Sequence, residues 1–185
     1  VAASVLAPHP SGVIAISIAV FALIYDKWGK HHSFLGPLNM GVCRGLNLLL
    51  GMSLFPAMLT QYGYLSVVPI VYIAAITMIS RGEVHGGKSH IMLLAALLYM
   101  TVNISILFIS YVHGHLIYAV FFVLIHALLI YPPLLRAFRE PVGKNIGKAV
   151  KAGVLALIVM NASWAAAFDS LFLGLMIALL LPLSL

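Results

Sequence analysis

The chain has 185 residues, of which 63% are hydrophobic and 8% charged, with a formal charge of +6 and a mean hydropathy of +1.13. A water-soluble fold of this length cannot cover so much apolar surface, and the lone Cys43 excludes an internal disulfide framework or a CxxC metal or redox site. The sequence pI is near 9.6, yet no aromatic-flanked basic patch is present and the cations sit between apolar runs, which points to membrane topology signals and away from nucleic acid.

Apolar runs broken by charge, Gly and Pro predict membrane-crossing helices at residues 11–26, 37–56, 64–80, 90–111, 115–135, 149–167 and 171–185. A span takes roughly 20 apolar residues and satisfies its own backbone polar groups where no water reaches them. The last run is short and is split from its predecessor at Phe168-Asp169-Ser170, so about six full spans are expected. No basic n-region precedes an apolar core at Val1, so no signal peptide is read there; truncation at one or both ends is expected. Without an internal repeat or low-complexity linker, residues 1–185 read as one all-α, polytopic transmembrane helical bundle whose partner is the lipid bilayer.

Charge sets the expected topology. Lys27 and Lys30 follow the first run, Arg81 and Lys88 the third, and Arg136, Arg139, Lys144 and Lys148 the fifth, with Lys151 at the next helix start. The connections around 57–63, 112–114 and 168–170 carry no Lys or Arg. This positive-inside pattern places the basic loops in the cytoplasm, in a bacterial inner membrane or an organellar membrane, with the N-terminus on the opposite face. Trp28, Tyr25, Tyr62, Tyr64, Tyr111 and Tyr118 near the span ends fit an interfacial aromatic belt.

Two polar stretches interrupt the pattern. In residues 36–53, Arg44, Asn47 and Gly51 share one helical stripe, and Asn39, Cys43 and Asn47 an overlapping one. An arginine inside a span is expensive unless it meets an acid, a carbonyl or an anionic ligand, which makes Arg44 and Asn47 ligand-binding candidates. In the plainer alternative Arg44 snorkels to the surface, and Gly41 and Gly45 let helices approach. The second stretch, residues 77–90, holds Arg81, His85 and Lys88 among Gly82, Gly86 and Gly87, whose backbone freedom allows amide groups to turn toward an anion. Glu83 is a candidate ligand for magnesium, although one carboxylate makes a thin cage. The alternative there is a solvated basic turn. Histidines 113, 115 and 126 raise haem or pigment ligation, but His126 has no equally deep histidine partner in another run, so interhelical hydrogen bonding is the favoured role.

The segment Gly41-Val42-Cys43-Arg44-Gly45-Leu46-Asn47-Leu48-Leu49-Leu50-Gly51 and the loop Ser80-Arg81-Gly82-Glu83-Val84-His85-Gly86-Gly87 resemble the EboC-like branch of the UbiA intramembrane prenyltransferase superfamily. The resemblance implies that the chain is about the last six helices of a nine-helix bundle around a lipid-facing cavity. It also implies a cytoplasmic polar end that binds an isoprenoid diphosphate through magnesium, with prenyl transfer to a lipophilic acceptor. Lys27, Lys30, Arg44, Asn47, Arg81, His85 and Lys88 would surround the head. Active members hold magnesium with two Asp-rich motifs. Here the first would lie before Val1, and in the second only Glu83 keeps a carboxylate, with Gly87 four residues on. The alternative is a non-catalytic accessory or scaffold subunit with membrane-protein partners.

Overall fold

The computed structural model describes residues 10–29, 32–84, 86–168 and 171–184. In chain order the helices are α1 (Ser11–Lys27), α2 (Leu35–Met52), α3 (Pro56–Tyr62), a 3-10 turn (Gly63–Ser66), α4 (Val67–Ser80), α5 (Ser89–Val112), α6 (Leu116–Arg139), α7 (Gly143–Phe168), α8 (Leu171–Ala178) and α9 (Leu180–Leu183). Among the described residues there is no strand.

Four stretches are long and apolar enough to cross a membrane: Pro56–Ser80, Ser89–Val112, Leu116–Arg139 and Gly143–Phe168, of 25, 24, 24 and 26 residues. Less than half of each is buried inside the protein, so most of their apolar surface faces outward. On α6 the buried positions Ala119, Phe122, Val123, His126, Ile130, Leu134 and Ala137 recur at helical spacing, whereas Ile117, Leu124 and Leu128 project away. A helix with histidine inside and leucine outside is arranged for a lipid environment, since exposed apolar area on this scale is not sustained in water. The chain is an all-α membrane protein. Of the other expected spans, α1 is shorter at 17 residues and α2 is diluted by Asn39, Arg44 and Asn47.

Helix boundaries depart from the sequence expectation in several places: the span expected at 37–56 ends at Met52, the run expected at 171–185 is two short helices, and three further departures have a local reason. Residues 57–63 were expected as a connection and are helical, because Pro56 sits at the first helical position, where its missing N–H is no loss. Helix α6 continues through Pro132 and Pro133 to Arg139, four residues beyond the expected end at 135; buried Leu134 and Ala137 hold it against its neighbours. Helix α7 starts at Gly143 instead of 149, its polar first turns following directly on Pro141.

The chain forms two compact units, residues 1–78 and 79–185. In the first, the Oγ atoms of Ser11 and Ser53, both buried, lie 2.8 Å apart and tie the start of α1 to the end of α2. Helix α2 meets the chain before and within α4 at backbone range. A β-carbon added at Gly41 would strike the Ile70 carbonyl oxygen, and one at Gly45 would lie 2.5 Å from Ile70 Cγ1 and 2.9 Å from the Ser66 carbonyl oxygen. This is small-residue helix packing, which replaces a hydrophobic driving force where the surroundings are as apolar as the side chains. In the second unit α6 and α7 pack along their length. Phe122, Val159, Ala162 and Ala166 form a core that Ile125, Leu129 and Ile177 extend. Gly174 of α8 fits over it, where a β-carbon would stand 2.8 Å from Phe122 Cε2.

Candidate functional site at the basic end of the second unit

Helix α4 ends in turns closed by the Gly82 and Glu83 N–H groups, which donate to the carbonyls of Ile79 and Ser80 at 3.0 Å each. The chain then folds onto the α6–α7 connection: the Gly87 N–H donates to the Pro141 carbonyl (3.0 Å) and Ser89 Oγ to the Phe138 carbonyl (3.1 Å). The glycines make this possible. Gly86 has φ +79, and a β-carbon at Gly82 would lie 2.8 Å from Gly87 Cα. Residues 81–84, 86–88 and 136–148 therefore share one end of the unit. At the other end the His113 ring packs edge-on against Phe168, centroids 4.7 Å apart.

The shared end is strongly basic. Arg81, Lys88, Arg136, Arg139, Lys144, Lys148 and Lys151 are all exposed there, against the carboxylates of Glu83 and Glu140. Glu83 runs along the first turns of α7. Its carbonyl oxygen occupies the space over Gly143, and its Oε1 lies where a β-carbon on Gly147 would approach to 2.8 Å. Asn145 Nδ2 donates to the Glu140 carbonyl at 3.1 Å, closing the α6–α7 turn. No three His, Cys, Asp or Glu side chains are grouped for metal binding among the described residues.

Just beneath this end a groove of about 450 Å³ runs between α5 and α6, lined by Met92, Leu93, Ala96, Tyr131, Pro132, Leu134, Leu135 and Phe138. Met92 lies one turn into α5 from Ser89, and Phe138 adjoins Arg139, so the apolar walls begin where the basic surface stops. The volume is in the range of small-molecule sites. Deeper in the unit, fully buried His126 donates from Nδ1 to Asn103 Oδ1 at 2.8 Å; an amide oxygen can only accept, which fixes the donor. Asn103 is also hydrogen-bonded to Tyr131 on the groove wall.

The sequence candidates thus divide. Arg81, Glu83 and Lys88 are brought together with the cations of residues 136–151 in the second unit. Lys27, Arg44 and Asn47 belong to the first: Lys27 is exposed with its Nζ 4.6 Å from the Trp28 ring, Arg44 is half-buried and Asn47 is exposed. Lys30 and His85 lie outside the described residues. His126 takes the interhelical hydrogen-bonding role expected of it. The groove and Tyr131 had no counterpart among the sequence candidates; the polar Asn103 within an apolar run was the visible signal for part of that network. No family model, curated protein or solved structure matches the chain.

Proposed function

We propose that this membrane protein binds an amphiphile with an anionic head and an apolar chain, an isoprenoid diphosphate or a similar molecule. The observation that carries this reading is the apolar groove whose lining residues Met92 and Phe138 lie within about one helical turn of the exposed Lys88 and Arg139, at the end of the unit that gathers the basic side chains. A chain entering from the bilayer would lie against Met92, Leu93 and Leu135, with its head among Lys88, Arg139 and their neighbours. Charge complementarity selects an anionic head. The sequence resemblance to UbiA proteins suggests a prenyl diphosphate in particular.

A second reading, binding without prenyl transfer in an accessory role, is favoured by the placement of Glu83. Its carboxylate lies against Gly147 of α7 and is not grouped with two further His, Cys, Asp or Glu side chains among the described residues, and metal-assisted departure of diphosphate needs several anionic ligands around the ions. The test is binding of geranylgeranyl diphosphate to the full chain in nanodiscs of neutral lipid, read by thermophoresis. Saturable binding is expected, weakened roughly two- to thirtyfold by Lys88→Gln with Arg139→Gln, more so at low salt, since each of the two exposed ion pairs is worth about 0.2–1 kcal/mol. Leu135→Trp, which fills the groove, should abolish it. Binding indifferent to both changes, or no binding, would overturn the reading. Magnesium-dependent transfer to an acceptor that Glu83→Gln removes would establish the enzyme instead.

A further inference from the structure

Helix α7 carries its cations in one line. Lys144, Lys148 and Lys151, all exposed, follow one another at spacings of four and three residues, so they share a single helical stripe. The buried positions of the same turns, Ile146, Ala149 and Gly153, lie on the opposite side, against the rest of the unit. The stripe therefore looks away from the bundle. Beyond Lys151 the outward side turns apolar at once: Val154 is half exposed, and Leu155 and Ile158 are partly exposed.

Helix length says where that change falls. Residues 152–168 make about 25 Å of helix at 1.5 Å per residue, close to a hydrocarbon core of roughly 30 Å. The stripe from Lys144 to Lys151 rises about 10 Å further, which carries it through the headgroup layer. Arg136 and Arg139 end α6 just before it, and against these five cations stand the carboxylates of Glu83 and Glu140, with Glu83 reaching Gly147 at the edge of the stripe. An excess of positive charge at that depth attracts anionic lipid, and lysine stems run along apolar surface to place their ammonium groups among phosphates.

We infer that the outward face of α7 is a docking surface for anionic phospholipid, with Lys144, Lys148 and Lys151 holding the headgroup and Val154, Leu155 and Ile158 lying along an acyl chain. This surface is separate from the amphiphile site: none of these residues lines the groove, and Lys88 and Arg139 stay unchanged in its test.

The test is fluorescence quenching by brominated lipids, on the full chain in liposomes, with Trp28 and Trp164 replaced by Phe and Val154→Trp as the single reporter, one turn below Lys151. Dibrominated phosphatidylglycerol is expected to displace phosphatidylcholine there with about two- to fivefold preference, the scale of one lysine's attraction for an anionic headgroup, and with less at high salt. Ile117→Trp, an exposed position toward the other end of α6, should show no preference. Changing Lys144, Lys148 and Lys151 together to Gln should bring the ratio at position 154 close to one, while quenching by brominated phosphatidylcholine persists and shows that the variant is inserted. Equal affinity of the two lipids at position 154 with the lysines present, a preference of the same size at position 117, or one that survives the triple change would overturn the assignment.

Discussion

The loop that carries Arg81 and Lys88 is held against α7 by two glycines that face different parts of Glu83, and replacing each by alanine should separate a rigid contact from a yielding one. At Gly143 the new β-carbon would collide with the Glu83 carbonyl oxygen, which is backbone and cannot move without the whole turn. At Gly147 it would meet the end of the Glu83 side chain, 2.8 Å from Oε1, which can swing away. Overpacking costs about 1–3 kcal/mol, and detaching the turn also forfeits the Gly87 N–H to Pro141 bond, worth about 0.5–1.5 kcal/mol net. Gly143→Ala should therefore destabilise the docked loop by about 2–4 kcal/mol. Gly147→Ala should come out near zero, because the roughly 0.5–1 kcal/mol gained by replacing a mid-helix glycine offsets the displaced carboxylate. The assay is hydrogen exchange by mass spectrometry on peptides spanning residues 80–90 in detergent. With a factor of ten for every 1.4 kcal/mol, exchange in Gly143→Ala should rise roughly 30-fold or more, and in Gly147→Ala by less than about fivefold. Equal exchange in the two variants would refute the docking of Glu83 along α7.

Removing either partner of the His126–Asn103 pair leaves a buried polar group unmatched. His126→Leu and Asn103→Leu should each lower stability by about 1–3 kcal/mol, and the double variant by less than the sum, as thermal unfolding in detergent will show. Gly41→Ala should lower the melting temperature because its β-carbon has the Ile70 carbonyl in its place, whereas Gly51→Ala, with nothing within 4 Å of the added carbon, should leave it unchanged or raise it slightly. In a Cys43→Ser background, cysteines placed at Lys88 and at Val112 should react with a membrane-impermeant thiol reagent from opposite faces of the bilayer; labelling of both from one face would contradict a crossing by α5.

The fold class was legible because its signal is long and redundant: an apolar run of 24 residues such as α5 survives any single ambiguous position. The ends were less so. Whether helix continues through Pro132 and Pro133 is decided by Leu134 and Ala137 being buried, a tertiary fact that local propensity does not contain. At the basic end, the charge of Arg81 and Lys88 was visible, and so was the freedom of Gly82, Gly86 and Gly87. What that freedom serves was not: it lets the loop lie on the α6–α7 turn, a contact between residues 49 or more apart in part of its extent. Glu83 drew attention as the isolated carboxylate of a basic loop, yet its position beside Gly143 and Gly147 depends on a helix start that sequence placed six residues too late.

The prolines that blurred the α6 boundary also bear on why the groove is where it is. Each removes a backbone N–H, so the carbonyls four residues earlier, at Leu128 and Leu129, lose their usual intrahelical donors. A membrane span tolerates this only where packing on its other face is secure, and Ile130, Leu134 and Ala137 supply that packing. The face bearing Tyr131, Pro132 and Leu135 is thereby free to be shallow, since the proline ring closes back on the helix and does not project as an extended side chain would. A single exchange, Pro132→Leu, tests this division of labour: it restores the N–H, places a branched chain into the groove and should raise thermal stability while lowering affinity for any chain bound there. If stability and affinity instead rise together, Pro132 does not shape the groove, and its form is set by the other lining residues, among them Met92, Leu135 and Phe138.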